Sequence, residues 1–211
     1  MKAPLVCLVT DLRRISPDGF RALCHDAADA SIDLIQIREP QLNARELVGM
    51  AMVAVHETRG SSTRVVVNGR LDVARAADAD GVHLPASGVP VARARQCGPP
   101  DRPRWLVGQS AHNTAELDAA ANADYIVFGT VFATDSKPGV AGQGLEALAA
   151  AVRHARAPVL AIGGMTPDRI RACANVGAAG VAGITLFLKD APGGMSPRDA
   201  VRMIREQFAS D

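Results

Sequence analysis

The sequence predicts a single (β/α)8 barrel, a TIM barrel, spanning residues 1–211. Eight short runs rich in Val, Ile and Leu alternate with helical patterns, and the runs are apolar enough to be covered on both faces, as parallel strands are. A small-residue phrase also recurs where helices give way to strands: Ala27-Ala-Asp-Ala-Ser31, Ala76-Ala-Asp-Ala-Asp80, Ala120-Ala-Asn-Ala-Asp124 and Val176-Gly-Ala-Ala-Gly180. It marks a repeated βα unit whose small residues let a helix end pack close to the sheet. An open doubly wound sheet is the alternative, and it is weakened by the lack of a Gly-x-Gly-x-x-Gly fingerprint after the first strand.

In order, Leu5–Thr10 reads as a buried strand, and Ser16-Pro17-Asp18 supplies a cap, a first-turn proline and an acid for the helix that follows. Leu34–Arg38 is the second strand, with Gln36 and Arg38 on one face by the period of two. Asn43 and Glu46 form a capping box for a helix over 44–58. Thr63–Asn68 is the third strand, a short helix follows Asp72, and Gly81–Leu84 is the fourth strand. Trp105–Ser110 is the fifth, and Asn113 with Glu116 has capping-box spacing again. Tyr125–Gly129 is the sixth, its helix covers 145–156, and Pro158–Ile162 is the seventh. Thr166-Pro167-Asp168 caps the next helix, Val181–Ile184 is the eighth strand, and Ser196-Pro197 opens the last helix.

Composition narrows the function. With 48% hydrophobic residues the chain can bury a sizeable core, and 23 basic against 22 acidic residues give no footprint for nucleic acid and no polybasic membrane patch. Anion recognition must therefore be local. Cys7, Cys24, Cys97 and Cys173 lack CxxC pairing and read as reduced thiols buried as small apolar groups, which favours the cytoplasm. The apolar run at the start is too short for a signal peptide, and no run approaches transmembrane length. A homodimer paired through helices is within the habit of short-looped barrels.

In a barrel, the working groups sit at the C-terminal ends of the strands, with phosphate often held after strands seven and eight. Gly163-Gly164 runs into a helix N-terminus, and Gly183 with Thr185 provides a second set, so these four are the candidate phosphate site. After the sixth strand, Thr130, Thr134, Ser136 and Lys137 offer hydroxyls and one ammonium, suited to an anion. The five histidines show no metal-ligand spacing; His25, His56 and His154 fall within helices, while His83 and His112 lie at the predicted rim.

Leu8-Val-Thr-Asp11, Gln36-Ile-Arg38, Val67-Asn68, Gly81-Val-His-Leu84, Ser110-Ala-His-Asn113, Phe128-Gly-Thr-Val-Phe132, Thr134-Asp-Ser-Lys137 and Ala161-Ile-Gly-Gly164 follow one another as in the thiamin phosphate synthase superfamily, which the chain resembles almost end to end. The resemblance implies a (β/α)8 barrel that handles a small-molecule thiazole phosphate in thiamin biosynthesis. One branch joins a pyrimidine diphosphate to thiazole phosphate with Mg²⁺; the other, the TenI branch, tautomerises a carboxythiazole phosphate without metal. The synthase motifs place a lysine at Pro40 and two Mg²⁺-binding aspartates at Gly69 and Gly88, none of which can serve here.

Gly81-Val-His-Leu-Pro85 and the segment from Phe128 to Gly139 look more like the tautomerase, so the resemblance implies an isomerase with no cofactor, Mg²⁺ entering only in the synthase alternative. Its base would be a histidine at the position of Thr130, leaving His83 or His112 as replacement. The implied catalytic set is His83, Thr130 and Arg38, with Gln36, Asn68, Ser110, Thr134, Ser136 and Lys137 binding substrate. A barrel that binds thiazole phosphate without catalysis is a further alternative, and a sugar-phosphate enzyme another.

Overall fold

A computed structural model describes residues 3–100, 105–134, 139 and 141–209. Eight parallel strands close into a barrel in sequence order: β1 (Leu5–Val9), β2 (Leu34–Ile37), β3 (Arg64–Asn68), β4 (Gly81–Leu84), β5 (Leu106–Ala111), β6 (Tyr125–Gly129), β7 (Val159–Ile162) and β8 (Gly180–Gly183). Closure comes from β8 pairing with β1, Gly180 opposite Leu5. Each strand is followed by a helix: α1 (Pro17–Asp29), α2 (Ala44–Glu57), α3 (Leu71–Ala76), α4 (Val91–Gln96), α5 (Thr114–Ala119), α6 (Gly144–His154), α7 (Pro167–Asn175) and α8 (Pro197–Ala209).

Local chemistry sets several starts. Ser16 Oγ accepts from the Gly19 amide at 3.1 Å and Pro17 occupies the first turn of α1. The Asn43–Glu46 box is complete in both directions, at 3.1 and 3.0 Å. At α5 only half of it forms: Asn113 accepts from the Glu116 amide at 3.0 Å, but the Glu116 carboxylate reaches past it to the His112 amide at 2.7 Å. Thr166 stands at the N-cap of α7 without a capping side-chain bond, contrary to expectation. Helix α4 and a 3-10 turn at Thr185–Phe187 were not among the predicted elements.

The apolar residues divide into two clusters. The larger lies between strands and helices; the smaller fills the barrel interior with Cys7, Val9, Leu34, Val66, Tyr125, Val127, Leu160 and Ala182. Cys7, Cys24 and Cys173 are buried as expected, and burial pushes the Cys7 and Cys24 thiols up to about 12. Cys97 is the exception. It is exposed, because it follows the last turn of α4 on the surface.

The residues just before three of the strands have a polar function. Asp33, just before β2, accepts from the Val6 amide in β1 at 2.8 Å; Asp80, before β4, accepts from Val65 in β3 at 2.8 Å; Asp124, before β6, accepts from Val107 in β5 at 2.7 Å. Three strand pairs are thus clipped at their N-terminal ends by the same carboxylate bond. The corresponding residue before β8 is Ala179, which has no side-chain acceptor. No helix among the described residues is long and apolar enough to cross a membrane.

Candidate active site at the C-terminal mouth of the barrel

The strands' alternation sends Gln36, Asn68, His83 and Ser110 inward at the upper end of the barrel, where the following loops wall a cavity of about 370 Å³. The cavity gathers the residues that the sequence pointed to. Gln36, Arg38, Asn68, His83, Ser110, Thr130 and Thr134 line one part; Gly163, Gly164, Gly183 and Thr185 line another. His112 also reaches it. Ser136 and Lys137 lie outside the described residues.

Arg38 is aimed by a lock beneath it. Glu39 is buried and accepts from Thr10 Oγ1 at 2.5 Å, from the Leu12 amide at 3.0 Å and from Gln41 at 2.8 Å, while Thr10 Oγ1 accepts from the Arg38 amide at 3.1 Å. The first and second βα loops are thereby tied together, leaving the guanidinium at the mouth. Asp11 is likewise occupied: it takes Arg13 through two contacts, at 2.8 and 2.9 Å, and Arg14 at 3.2 Å, and the Arg13 hydrogen bond holds its carboxyl below the usual range against the effect of burial.

His83, one of the two histidines offered as a replacement base, is hydrogen-bonded on both sides. Its Nε2 lies 2.9 Å from Ser110 Oγ and its Nδ1 3.2 Å from the Tyr125 hydroxyl, so both ring nitrogens are occupied. Burial, assisted by the Arg38 charge, pushes its pKa down to about 3, so the ring is neutral near pH 7. Tyr125, taken from the sequence only as part of a core strand, sits below the cavity in the barrel interior. At the rim, His112 Nδ1 is 2.9 Å from the Glu116 carboxylate. Burial would raise the Glu116 pKa, and the hydrogen bonds from His112 outweigh it and hold it low.

The glycine turn after β7 needs its glycines. Gly163 and Gly164 have φ of 108° and 61°, and a Cβ on Gly163 would collide with the Thr130 methyl. Arg169, which the sequence gave no reason to single out, donates to the Gly164 carbonyl at 2.7 Å and stacks 4.9 Å from the Phe132 ring. It pins the turn from outside.

Among the described residues lining the cavity there is no carboxylate, and no group of three His, Cys, Asp or Glu could hold a metal ion. Among the described lining residues, one full cation, Arg38, and a ring of neutral donors favour an anionic ligand. The Mg²⁺ of the synthase branch does not fit this donor set: Gly69 and Gly88 replace its carboxylates, and the nearby acids Asp11 and Glu39 are committed elsewhere.

Known proteins agree with the fold and correct one expectation. The chain is 37% identical over 187 residues to the thiamine-phosphate synthase of Methanoculleus marisnigri, covering 87% of this chain and 85% of that one. It is 38% identical over 176 residues to the thiamine-phosphate synthase of Moorella thermoacetica, covering 82% and 80%. A solved structure, thiamine phosphate pyrophosphorylase from Pyrococcus furiosus, superposes with a TM-score of 0.79 at 29% identity, covering 97% of this chain and 95% of that one. These relatives carry the name of the transferase, so isomerase, expected from the short motifs around Gly81 and Phe128, is withdrawn as the enzyme class. With residues 6–187 matching the family described as thiamine monophosphate synthase, the chain belongs to the TMP-TENI family.

Proposed function

We propose that the chain acts in thiamin biosynthesis as a thiamine-phosphate synthase. The observation that carries this reading is similarity to named synthases over 80% or more of both chains, together with a cavity that gathers the anion-binding candidates at one mouth. In this reaction the thiazole nitrogen attacks the methylene carbon of the pyrimidine diphosphate. The carbon–oxygen bond to diphosphate breaks, and diphosphate leaves with the electron pair.

The thiazole phosphate tail is assigned to Gly163, Gly164, Gly183 and Thr185, where glycine backbone can approach closely and α7 begins just beyond. Gln36, Asn68, Ser110 and Thr134 face the two rings, and Thr130 closes the cavity beside Gly163. Arg38 and His112 meet the charge on the leaving diphosphate, with the His112 ring held in place by its contact to Glu116. No role is assigned to Mg²⁺, because the described residues of the lining offer it no carboxylate.

The lack of a carboxylate among the described lining residues favours a second reading, a barrel that binds thiazole phosphate without turnover. One experiment separates them. The purified protein is given thiazole phosphate and pyrimidine diphosphate with and without Mg²⁺, thiamin phosphate is measured, and thiazole phosphate binding is followed by calorimetry. Product above a protein-free control establishes the synthase. Binding with no product overturns it in favour of the second reading, and absence of both overturns both.

A further inference from the structure

Four polar side chains from four strands meet inside the barrel. Gln36 of β2 interacts with the Tyr125 hydroxyl of β6, which lies 3.2 Å from His83 Nδ1 of β4; His83 Nε2 lies 2.9 Å from Ser110 Oγ of β5. Gln36, His83 and Ser110 line the cavity, and Tyr125 does not. The tyrosine is held by packing: the His83 and Tyr125 ring centroids are 5.6 Å apart at 31°, and a Cβ at residue 108 would collide with the hydroxyl end of the Tyr125 ring, so Gly108 makes its space.

A neutral imidazole has one N–H and one acceptor nitrogen, and its neighbours decide which is which. The row therefore has two polarities. In one, Ser110 donates to Nε2 and the serine oxygen is left as a nucleophile or base. In the other, donation runs outward from Tyr125 to Ser110. A phenol is a better donor than acceptor, an imidazole nitrogen is a better acceptor than a phenol oxygen, and Gln36 can satisfy the Tyr125 oxygen from behind with its amide N–H.

We propose that Tyr125 is a positioning residue that donates to His83 Nδ1, fixes the Nε2–H tautomer, and so turns the Ser110 hydroxyl hydrogen toward the ligand. Ser110 is then a hydrogen-bond donor to an electronegative ligand atom, and the serine–histidine pair is not a nucleophilic dyad. Burial supports this polarity: it keeps the Tyr125 phenol protonated and the His83 ring uncharged near pH 7.

The tautomer is read without any ligand by long-range proton–nitrogen correlation spectra of 15N-labelled protein, with His83 assigned by comparison with His83→Gln. Wild type should show the protonated-nitrogen shift at Nε2 and the acceptor shift at Nδ1, and Tyr125→Phe, which keeps the ring, should lose that preference. An Nδ1–H tautomer in wild type overturns the proposal, as does an unchanged tautomer in Tyr125→Phe.

A second arm rests on the proposed function and uses thiazole phosphate as the probe. Tyr125→Phe should weaken its binding about fivefold, the weight of one neutral hydrogen bond, and have no further effect in a Ser110→Ala background. Additive losses overturn action through Ser110. If thiazole phosphate does not bind wild type, the functional reading fails while the tautomer result still decides the role of Tyr125.

Discussion

Acid should destabilise this barrel through one ring. At pH 7 His83 is neutral in the native and the unfolded chain, so its titration contributes nothing to stability. As the pH falls through 6.5 the unfolded chain takes up a proton that the buried native ring does not hold until about pH 3. Stability is therefore lost between those two values and levels off below them. At about pH 4.5, two units below the unfolded value, the loss from this group is about 2.7 kcal/mol, at about 1.36 kcal/mol per unit. For a chain of this length that corresponds to a fall of about 5–10 °C in the thermal midpoint. The assay is thermal unfolding of wild type and His83→Gln at both pH values. The variant starts lower, because Tyr125 and Ser110 lose a partner, but lacks the titrating ring, so its midpoint should fall less between the two conditions by that margin. Equal falls in the two proteins would refute the assignment of His83 as a buried neutral imidazole.

Replacing Arg38 by Ala should weaken pyrimidine diphosphate binding about five- to tenfold, less than the usual weight of a charged hydrogen bond because the guanidinium is exposed; calorimetry at two salt concentrations checks it, and the loss should shrink at high salt. Gly108→Ala should displace the Tyr125 ring and cost about 1–3 kcal/mol by overpacking, read from urea unfolding, whereas the same change at Gly49, which has open space, should cost far less.

What the sequence disclosed follows the reach of each interaction. The Asn43–Glu46 box acts over three residues and could be read directly, as could the inward face of β2 and the glycine pair before α7. Helix α4 had no side-chain cap to announce it, with Pro90 at its N-cap position, and Glu116 was drawn from its box by the His112 amide one residue beyond. The carboxylate clips join residues 27, 15 and 17 positions apart, and the Tyr125–His83 contact spans 42, so only the closed barrel makes them visible. The enzyme class was not legible, because Pro40, Gly69 and Gly88 stand where the synthase motifs carry charged residues while the motifs at Gly81 and Phe128 look like the tautomerase, and the relatives are nonetheless named synthases.

The aspartates at the base of the barrel divide it into couplets. In β1–β2, β3–β4 and β5–β6 the acceptor and the amide it holds come from neighbouring strands of one couplet, and no such bond joins one couplet to the next at these positions. New chain ends opened between couplets, in the α2–β3, α4–β5 or α6–β7 connections, leave every aspartate on the same fragment as its amide. A cut inside a couplet separates them. The final couplet, β7–β8, is held without this bond, yet it carries the glycines at one end of the cavity. Three quarters of the barrel thus each carry a clip of their own, and the quarter that carries Gly163, Gly164 and Gly183 is the one without it.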